Sequence, residues 1–262
     1  MSLIYEPKGK AREYSPYALN IYTNGCDHAC TYCYCKNIRR GNWSYQPTPR
    51  NLTELGKEAK MISKQILLSF VGDPYCKAEQ EYKVTREALK ILMKESCSVA
   101  ILSKGGNRCL DDLDLFVGWP QNRIKVGATL TSVSDEIKNK YEPGAASPAE
   151  RIDALKSLHE AGVMTWVSME PVICPEQSLL AMQESLPFVD AYKVGKWNHT
   201  AEANKIDWKE FAFEAVELLR EARKRFYVKD DLRHFLPDGY LTKHEADMNS
   251  LNLPERPSNE GG

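Results

Sequence analysis

Four cysteines, Cys26, Cys30, Cys33 and Cys35, crowd into ten residues of a 262-residue chain, while Cys76, Cys97, Cys109 and Cys174 stand singly. Kept reduced, thiols at this spacing point to metal binding or catalysis rather than to a disulfide framework. The core of the group reads CxxxCxxC. Three thiolates on one short loop can each hold one iron of a cubane iron-sulfur cluster, which leaves the fourth iron without a protein ligand and open to a bound molecule. The competing centre is a structural zinc on all four cysteines. Against it, Cys33-Tyr34-Cys35 is cramped for two ligands of one tetrahedron, and zinc ribbons and knuckles present two CxxC-type pairs separated by a longer loop. With three ligands assigned, Cys35 is a bystander.

Such a loop needs a scaffold, and the rest of the chain alternates short apolar runs with segments of helical period, the pattern of repeated β-α units on a parallel sheet. Six strands are expected, at Ala18 to Thr23, Gln65 to Val71, Ser98 to Ser103, Arg123 to Thr129, Val163 to Met169 and Ala191 to Val194. Helices are expected near Leu52 to Ser63, Tyr82 to Lys94, Leu110 to Phe116, Pro148 to Ala161, Leu179 to Ser185 and Trp208 to Lys224. Ser147-Pro148-Ala149-Glu150 combines an N-cap, a proline at N1 and a capping-box glutamate, and Asp207-Trp208-Lys209-Glu210 repeats the cap-and-box spacing. Strands apolar nearly throughout are strands covered by helices. The expected fold is therefore α/β, a partial (β/α)6-type barrel of parallel strands, open at one side and followed by a C-terminal extension, with an open sheet as the alternative. Phe226 to Leu236 can add a further strand and loop. In such barrels the chemistry sits on loops after the strands, and the cysteine loop follows the first.

At 42% hydrophobic and 27% charged residues the chain is globular, which excludes a disordered tail protein, a collagen and a disulfide miniprotein. One domain is expected over residues 1–248, with 249–262 as a mobile tail. Lys and Arg at 35 against Asp and Glu at 36 leave a net charge of -1. That balance excludes a strongly basic nucleic-acid coat but leaves room for a local basic groove. No apolar run approaches the roughly 20 residues of a membrane span. Met1 to Lys8 contains no apolar h-region, so a cytoplasmic location is the expectation.

CxxxCxxC on the loop after the first strand of a β/α barrel resembles the radical S-adenosylmethionine (radical SAM) superfamily. The chain looks closest to its spore photoproduct lyase-like branch, through Tyr32-Cys33-Tyr34, Gly72-Asp73-Pro74-Tyr75, Thr85-Arg86, Ser103-Lys104, Arg108, Asp111-Asp112-Leu113, Tyr141-Glu142-Pro143-Gly144-Ala145, Arg151 and Glu170-Pro171-Val172-Ile173. The resemblance implies an enzyme with a 4Fe-4S cluster on Cys26, Cys30 and Cys33, whose open iron chelates the amino and carboxylate groups of S-adenosylmethionine. Reduced by an external flavodoxin- or ferredoxin-like donor, the cluster would cleave that cofactor to methionine and a 5'-deoxyadenosyl radical, which abstracts hydrogen from the substrate.

Positions after the strands suggest cofactor-binding roles. Gly72 and Asp73 could accept the amino group of S-adenosylmethionine, and Lys104 could pair with its carboxylate. Thr129 and Thr131 could bind ribose or adenine. Arg151 lies in the first turn of a helix, where a cation is unfavourable, so a carboxylate partner would explain it. Glu170, with Lys193, Lys196, Asn198 and His199, faces the same rim. Each has a plainer reading: Asp73 as a turn residue before Pro74, Lys104 as a solvated lysine, the threonines as strand ends, His199 as a surface histidine. Tyr32 and Tyr34 flank the cysteines and are candidates for radical transfer, or for packing on a cluster. Phe70 stands where spore photoproduct lyases carry a hydrogen-donating cysteine, so repair of spore photoproduct is not expected. Cys76 could substitute, or be a small buried thiol. A nucleic acid or nucleotide is the substrate class the branch suggests, with Lys8, Lys10, Arg12, Arg39, Arg40 and Arg50 available to phosphates. A small metabolite is equally compatible, and a non-enzymatic zinc-binding interaction module is the alternative from another class.

Overall fold

A computed structural model describes residues 2–38, 43–120, 122–198 and 200–256. The strands are β1 (Ile4–Tyr5), β2 (Tyr17–Leu19), β3 (Tyr22–Thr23), β4 (Thr48–Pro49), β5 (Ile66–Leu68), β6 (Val99–Ser103), β7 (Ile124–Thr129), β8 (Met164–Met169), β9 (Ala191–Val194) and β10 (Arg225–Val228). Eight form one sheet in the order β1-β2-β5-β6-β7-β8-β9-β10. All neighbours from β2 to β10 are parallel, and β1 is an antiparallel edge. The architecture is the expected α/β one, mostly parallel and open, with β10 supplied by the C-terminal region. The first expected strand is a correction. Its ladder stops at Leu19, because the Asn20 side chain turns to accept the backbone N–H groups of Phe70 and Val71, both at 2.9 Å. Tyr22–Thr23 then pair antiparallel with Thr48–Pro49.

Side chains alternate across each strand, as a two-residue period requires. Ile66, Leu68, Val99, Ile101 and Val126 face one helical layer, and Val167, Met169, Tyr192, Val194, Phe226 and Val228 face another. The helices Val84–Lys94, Pro148–Glu160, Pro175–Ser185 and Trp208–Glu221 supply these layers. Each fully buried Leu, Val or Phe contributes about 1.5–3 kcal/mol, so these two clusters dominate stability. The Ser147 cap forms the complete capping box with Glu150. Asp207 caps the last long helix by accepting from Lys209 N and Glu210 N, both at 3.0 Å.

The inward positions are less apolar than the pattern suggested. Leu67, Ala100, Trp166, Tyr227 and Leu251 form a small core inside the curve of the sheet. Trp166 reaches across β7 to donate its indole N–H to the Ile101 carbonyl at 3.0 Å. Gly127 permits this, since a Cβ there would lie 2.6 Å from the indole Cδ1. Lys125 and Lys193 also point inward and are buried. Lys193 was expected at the rim; instead it donates to the carbonyls of Glu13 (2.5 Å) and Tyr14 (3.1 Å). Glu13 in turn accepts from Tyr227 Oη and Asp230 N, both at 2.8 Å. The segment Gly9–Tyr14 is thereby tied to β10 while Ser15 and Tyr17 bond Gln65 at the start of β5, so it spans the sheet's open side.

The expected mobile tail from residue 249 is a further correction as far as residue 256. Leu251 and Leu253 are buried, and Lys125 donates to the Leu251 carbonyl. Gln65 holds Asn252 and Leu253, and the Pro254 carbonyl accepts from Ser98. These partners lie at the N-terminal ends of the strands, where unpaired polar groups otherwise face the core. Residues 257–262 lie outside the described residues.

Candidate active site

The cysteine loop follows β3 and lies over the opposite, C-terminal ends of the strands. Its backbone is held from several sides: Cys26 N donates to Ser44 O (3.3 Å), Thr31 N to Tyr141 O (2.8 Å) and Gly144 N to His28 O (2.9 Å). Gly144 has to be glycine for this approach, because a Cβ there would sit 2.0 Å from the Asp27 carbonyl oxygen. Asp27 Oδ2 accepts Ala78 N at 3.2 Å. Tyr34 Oη and Cys35 Sγ both donate to the Phe70 carbonyl, at 3.2 and 3.6 Å.

Asp73 joins three elements. Its Oδ1 accepts from Tyr75 N (2.8 Å) and Ser103 Oγ (2.6 Å), and its Oδ2 from Lys104 N (2.7 Å), with His28 Nδ1 at 3.4 Å. Arg108 donates to His28 Nε2 at 3.1 Å, so that nitrogen is the acceptor and Nδ1 carries the proton facing Asp73. Burial pushes the His28 pKa down, toward neutral imidazole. Burial also opposes the Asp73 charge, but attraction to His28 and the hydrogen bonds outweigh it and hold the carboxyl below its usual range. Because His28 is neutral, the hydrogen bonds dominate. Through these contacts Asp73 ties the cysteine loop to the sheet.

Behind Cys30 lies a second buried network. Tyr32 Oη donates to Glu142 Oε1, and Arg151 Nη2 donates to Glu142 Oε2 at 2.5 Å. Arg151 also bonds Thr129 O (2.9 Å) and Ala146 O (3.1 Å from Nε). The carboxylate partner expected for Arg151 is thus Glu142 of the same chain, and the 2%-exposed arginine is spent inside the wall rather than on a cofactor. Burial opposes ionisation of Glu142, but Arg151 and Lys104 outweigh it and lower its pKa. Lys104 lies over the Tyr32 ring, 5.8 Å from its centroid. Burial lowers the Lys104 pKa less than Cys30 and Glu142 raise it, so it stays an ammonium. Its Nζ has no hydrogen-bond partner among the described residues.

Across the mouth, Glu170 Oε2 accepts from Tyr14 Oη (2.7 Å) and from Lys229 Nζ. Tyr14 Oη also meets Ser168 Oγ at 2.9 Å, and its ring packs edge-on against Phe70 with centroids 5.9 Å apart. Glu170 Oε1 has no protein partner among the described residues. Tyr14, Glu13 and Lys229 were not singled out from the sequence; a charged or polar residue inside an apolar strand pattern, as at Lys125 and Lys193, is the signal that an interior polar network exists.

Other expectations fare unevenly. Cys76 is fully buried within the core cluster beside Tyr22 and Tyr75, so it cannot meet a substrate. Gly72 adopts φ +77° and its carbonyl accepts from Ser69 Oγ at 2.9 Å. Thr129 and Thr131 are buried, their carbonyls taken by Arg151 and Ser178. Lys10 pairs with Asp231 (2.7 Å), Arg12 with Asn249 (3.1 Å), and Arg50 with the carbonyls of Asn20 and Ser2. His199, Arg39 and Arg40 lie outside the described residues.

The donor set suits an iron-sulfur cluster. Cys30 lies close enough to Cys26 and to Cys33 for their ionisations to be linked through it. Burial pushes Cys26 up and Cys30 up to about 11, while the adjacent Cys35 thiol, with the Lys104 and Lys36 charges, lowers Cys33 to about 6. Binding of iron as thiolates would release the protons held there. Among the described residues no three His, Cys, Asp or Glu side chains converge on the position of a single ion. Three sulfurs that each hold a different iron need no such convergence.

Residues 20–187 match the model of the Radical SAM superfamily. An uncharacterised protein of Methanocaldococcus jannaschii is 37% identical over 162 residues, covering 60% of each chain. One from Acidianus two-tailed virus is 25% identical over 201 residues, covering 70% of this chain and 65% of its own. The chain therefore spans about two thirds or less of the length of these relatives. Among solved structures, spore photoproduct lyase complexed with dinucleoside spore photoproduct superposes with a TM-score of 0.65 at 15% identity, over 85% of this chain and 78% of that one. Streptococcus suis SuiB bound to S-adenosylmethionine gives 0.60 at 16% identity, over 86% and 53%. At these identities the likeness is one of fold.

Proposed function

The chain belongs to the radical SAM superfamily, and on that ground we propose that Cys26, Cys30 and Cys33 hold a 4Fe-4S cluster, with S-adenosylmethionine bound beside it, in an enzyme that starts its reaction by removing a hydrogen atom from a substrate. When bound, the cluster and S-adenosylmethionine supply the electron, taken from an external ferredoxin- or flavodoxin-like donor, and the hydrogen-abstracting radical. What supports the reading is the placement of three thiols on one loop next to the Lys104 ammonium, which no protein acceptor claims among the described residues.

Lys104 pairs with the methionyl carboxylate, a charge-assisted contact in a largely buried setting. Glu170, with Oε2 fixed by Tyr14 and Lys229, turns Oε1 toward a donor on the bound molecule. Phe70, Tyr14 and Trp166 line the interior and exclude water from it. On one fold, spore photoproduct lyase is complexed with a dinucleoside and SuiB with a precursor peptide, so substrate class does not follow from the fold. Lys10, Arg12 and Arg50 are engaged within the protein, which favours a nucleotide-sized or smaller substrate recognised in the mouth over a long polyanion laid across the loop.

Anaerobic reconstitution with iron and sulfide tests this, with the reduced EPR spectrum recorded with and without S-adenosylmethionine and 5'-deoxyadenosine measured. The expected result is a cluster signal perturbed by the cofactor, formation of 5'-deoxyadenosine, and loss of both in Cys30→Ala but not in Cys35→Ala. A colourless protein holding one zinc would refute the proposal.

A further inference from the structure

The network behind Cys30 is costly unless it does something for the loop. It places a carboxylate and a guanidinium in the interior, both nearly inaccessible, where desolvation offsets much of their attraction and apolar side chains of similar volume would serve stability as well. Arg151 comes from the helix Pro148–Glu160 and Glu142 from the loop before it, so the pair belongs to the barrel wall. Two side chains of the cysteine loop reach the wall here: Thr31 Oγ1 makes a long contact with the Tyr141 carbonyl at 3.5 Å, and Tyr32, which lies between Cys30 and Cys33 in sequence, hands its hydroxyl proton to Glu142 as a hydrogen bond. Two main-chain bonds flank this contact: Thr31 N to Tyr141 O at 2.8 Å and Gly144 N to His28 O at 2.9 Å. Segment 28–32 and segment 141–144 are therefore stitched together by four hydrogen bonds, and only the Tyr32 one ends on a partner held by a buried cation.

We propose that Tyr32, Glu142 and Arg151 form a latch that holds Cys30 and Cys33 in the spacing a cluster requires, and that they act as positioning residues for cluster retention. The inference rests on the proposed cluster but assigns these three residues a role distinct from cofactor binding or radical transfer. Arg151 fixes the Glu142 carboxylate, Glu142 fixes the Tyr32 ring, and the ring fixes the loop between the two ligands. Preorganising ligands in this way slows their departure from the metal, as outer-shell partners of metal ligands do elsewhere.

The decisive variant is Tyr32→Phe, which removes the hydroxyl, keeps the ring and leaves the Arg151 bond to Glu142 Oε2 in place, while Glu142 Oε1 loses its donor. In the reconstituted full-length protein, the rate at which a ferrous chelator strips iron should rise about tenfold, the scale of one hydrogen bond to a charged acceptor. The thermal midpoint of the metal-free protein should fall by only a few degrees, the cost of leaving the buried Glu142 Oε1 without its donor, and by less than it falls in Glu142→Gln or Arg151→Lys. Tyr34→Phe, whose hydroxyl bonds the Phe70 carbonyl and not the Glu142 carboxylate, should release iron at the wild-type rate. Glu142→Gln should release iron at least as fast as Tyr32→Phe, and adding Tyr32→Phe to it should change the rate little, because both break one chain of contacts. The latch is overturned if Tyr32→Phe keeps its iron as well as the wild type, or if iron loss across Tyr32→Phe, Glu142→Gln and Arg151→Lys merely follows the loss of thermal stability. Failure of the wild type to take up iron would instead end the cluster reading and the latch with it.

Discussion

Lys104 and Asp73 sit next to each other in the structure and were read alike from sequence, as polar residues just after a strand; their surroundings separate them. Asp73 spends both oxygens on Tyr75, Ser103, Lys104 N and His28. Lys104 directs its backbone into that hub and leaves its ammonium for something else. Lys104→Met should weaken S-adenosylmethionine binding by at least tenfold, about 1.4 kcal/mol, with reconstituted iron content unchanged. Equilibrium binding to the reconstituted protein checks this, and unaltered affinity would remove Lys104 from the cofactor site. The cysteine triplet was legible because its spacing is local. Arg151 was half legible: its misfit at a helix N-terminus announced a carboxylate partner, but nothing local could show that Glu142, nine residues earlier, would fold back to meet it. Cys76 is the small buried thiol that was one of its two readings; its distance from Asp73 in sequence could not decide between them, because it says nothing about which way a turn points its thiol.

At the scale of elements, what could be read were periodicity and caps. The helix Pro148–Glu160 begins at its capping box, and its first turn carries Arg151 to the network behind Cys30. Ser147→Ala removes the acceptor for Glu150 N and should cost about 1 kcal/mol, measured as a lower denaturant midpoint with an unchanged slope. A loss within experimental error would mean that tertiary packing, not the cap, sets where this helix starts. What periodicity could not reveal was the break in the first strand. Ala18 to Thr23 is apolar enough to continue, and only the tertiary partners of Asn20, the N–H groups of Phe70 and Val71, make leaving the ladder favourable. The short helix Asp135–Tyr141 escaped for the converse reason: it buries no residue fully, so it has no apolar stripe to read.

The whole molecule is closed by its two ends, and both closures run through lysines inside the sheet. The N-terminal segment lies on Lys193 and the C-terminal segment on Lys125, which is why residues 249–256 are ordered against the sheet although their composition suggested a tail. No helix among the described residues is long and apolar enough to cross a membrane. The interior lysines leave a measurable trace. Burial, with a smaller contribution from Arg225, lowers Lys125 to about 7, whereas in the unfolded chain it titrates at about 10.4. Between those values the unfolded state binds the extra proton, so stability must rise with pH, approaching about 1.4 kcal/mol per pH unit, and must be flat with respect to this group below pH 7. Lys193 is shifted the same way by burial and by Lys125 and Lys229, while Lys229, raised by Tyr14, Glu170 and Glu13 against its burial, stays protonated in both states over this range. Above about pH 8.5 unfolded thiols ionise, whereas burial holds Cys97 and Cys109 up at about 11 and 12, so stability falls again. Across the window from pH 7 to about 8.5 Cys33, lowered to about 6 in the fold, adds a rise of the same sign, so the lysine contribution is read from the difference between the wild type and Lys125→Met. In metal-free protein kept reduced, unfolding free energy should climb across it for the wild type and climb less steeply for Lys125→Met, by close to one proton's worth of slope at the upper end. Parallel curves for the two proteins would mean that Lys125 keeps its charge inside the sheet, and that the C-terminal closure is held by an ammonium rather than a neutral amine.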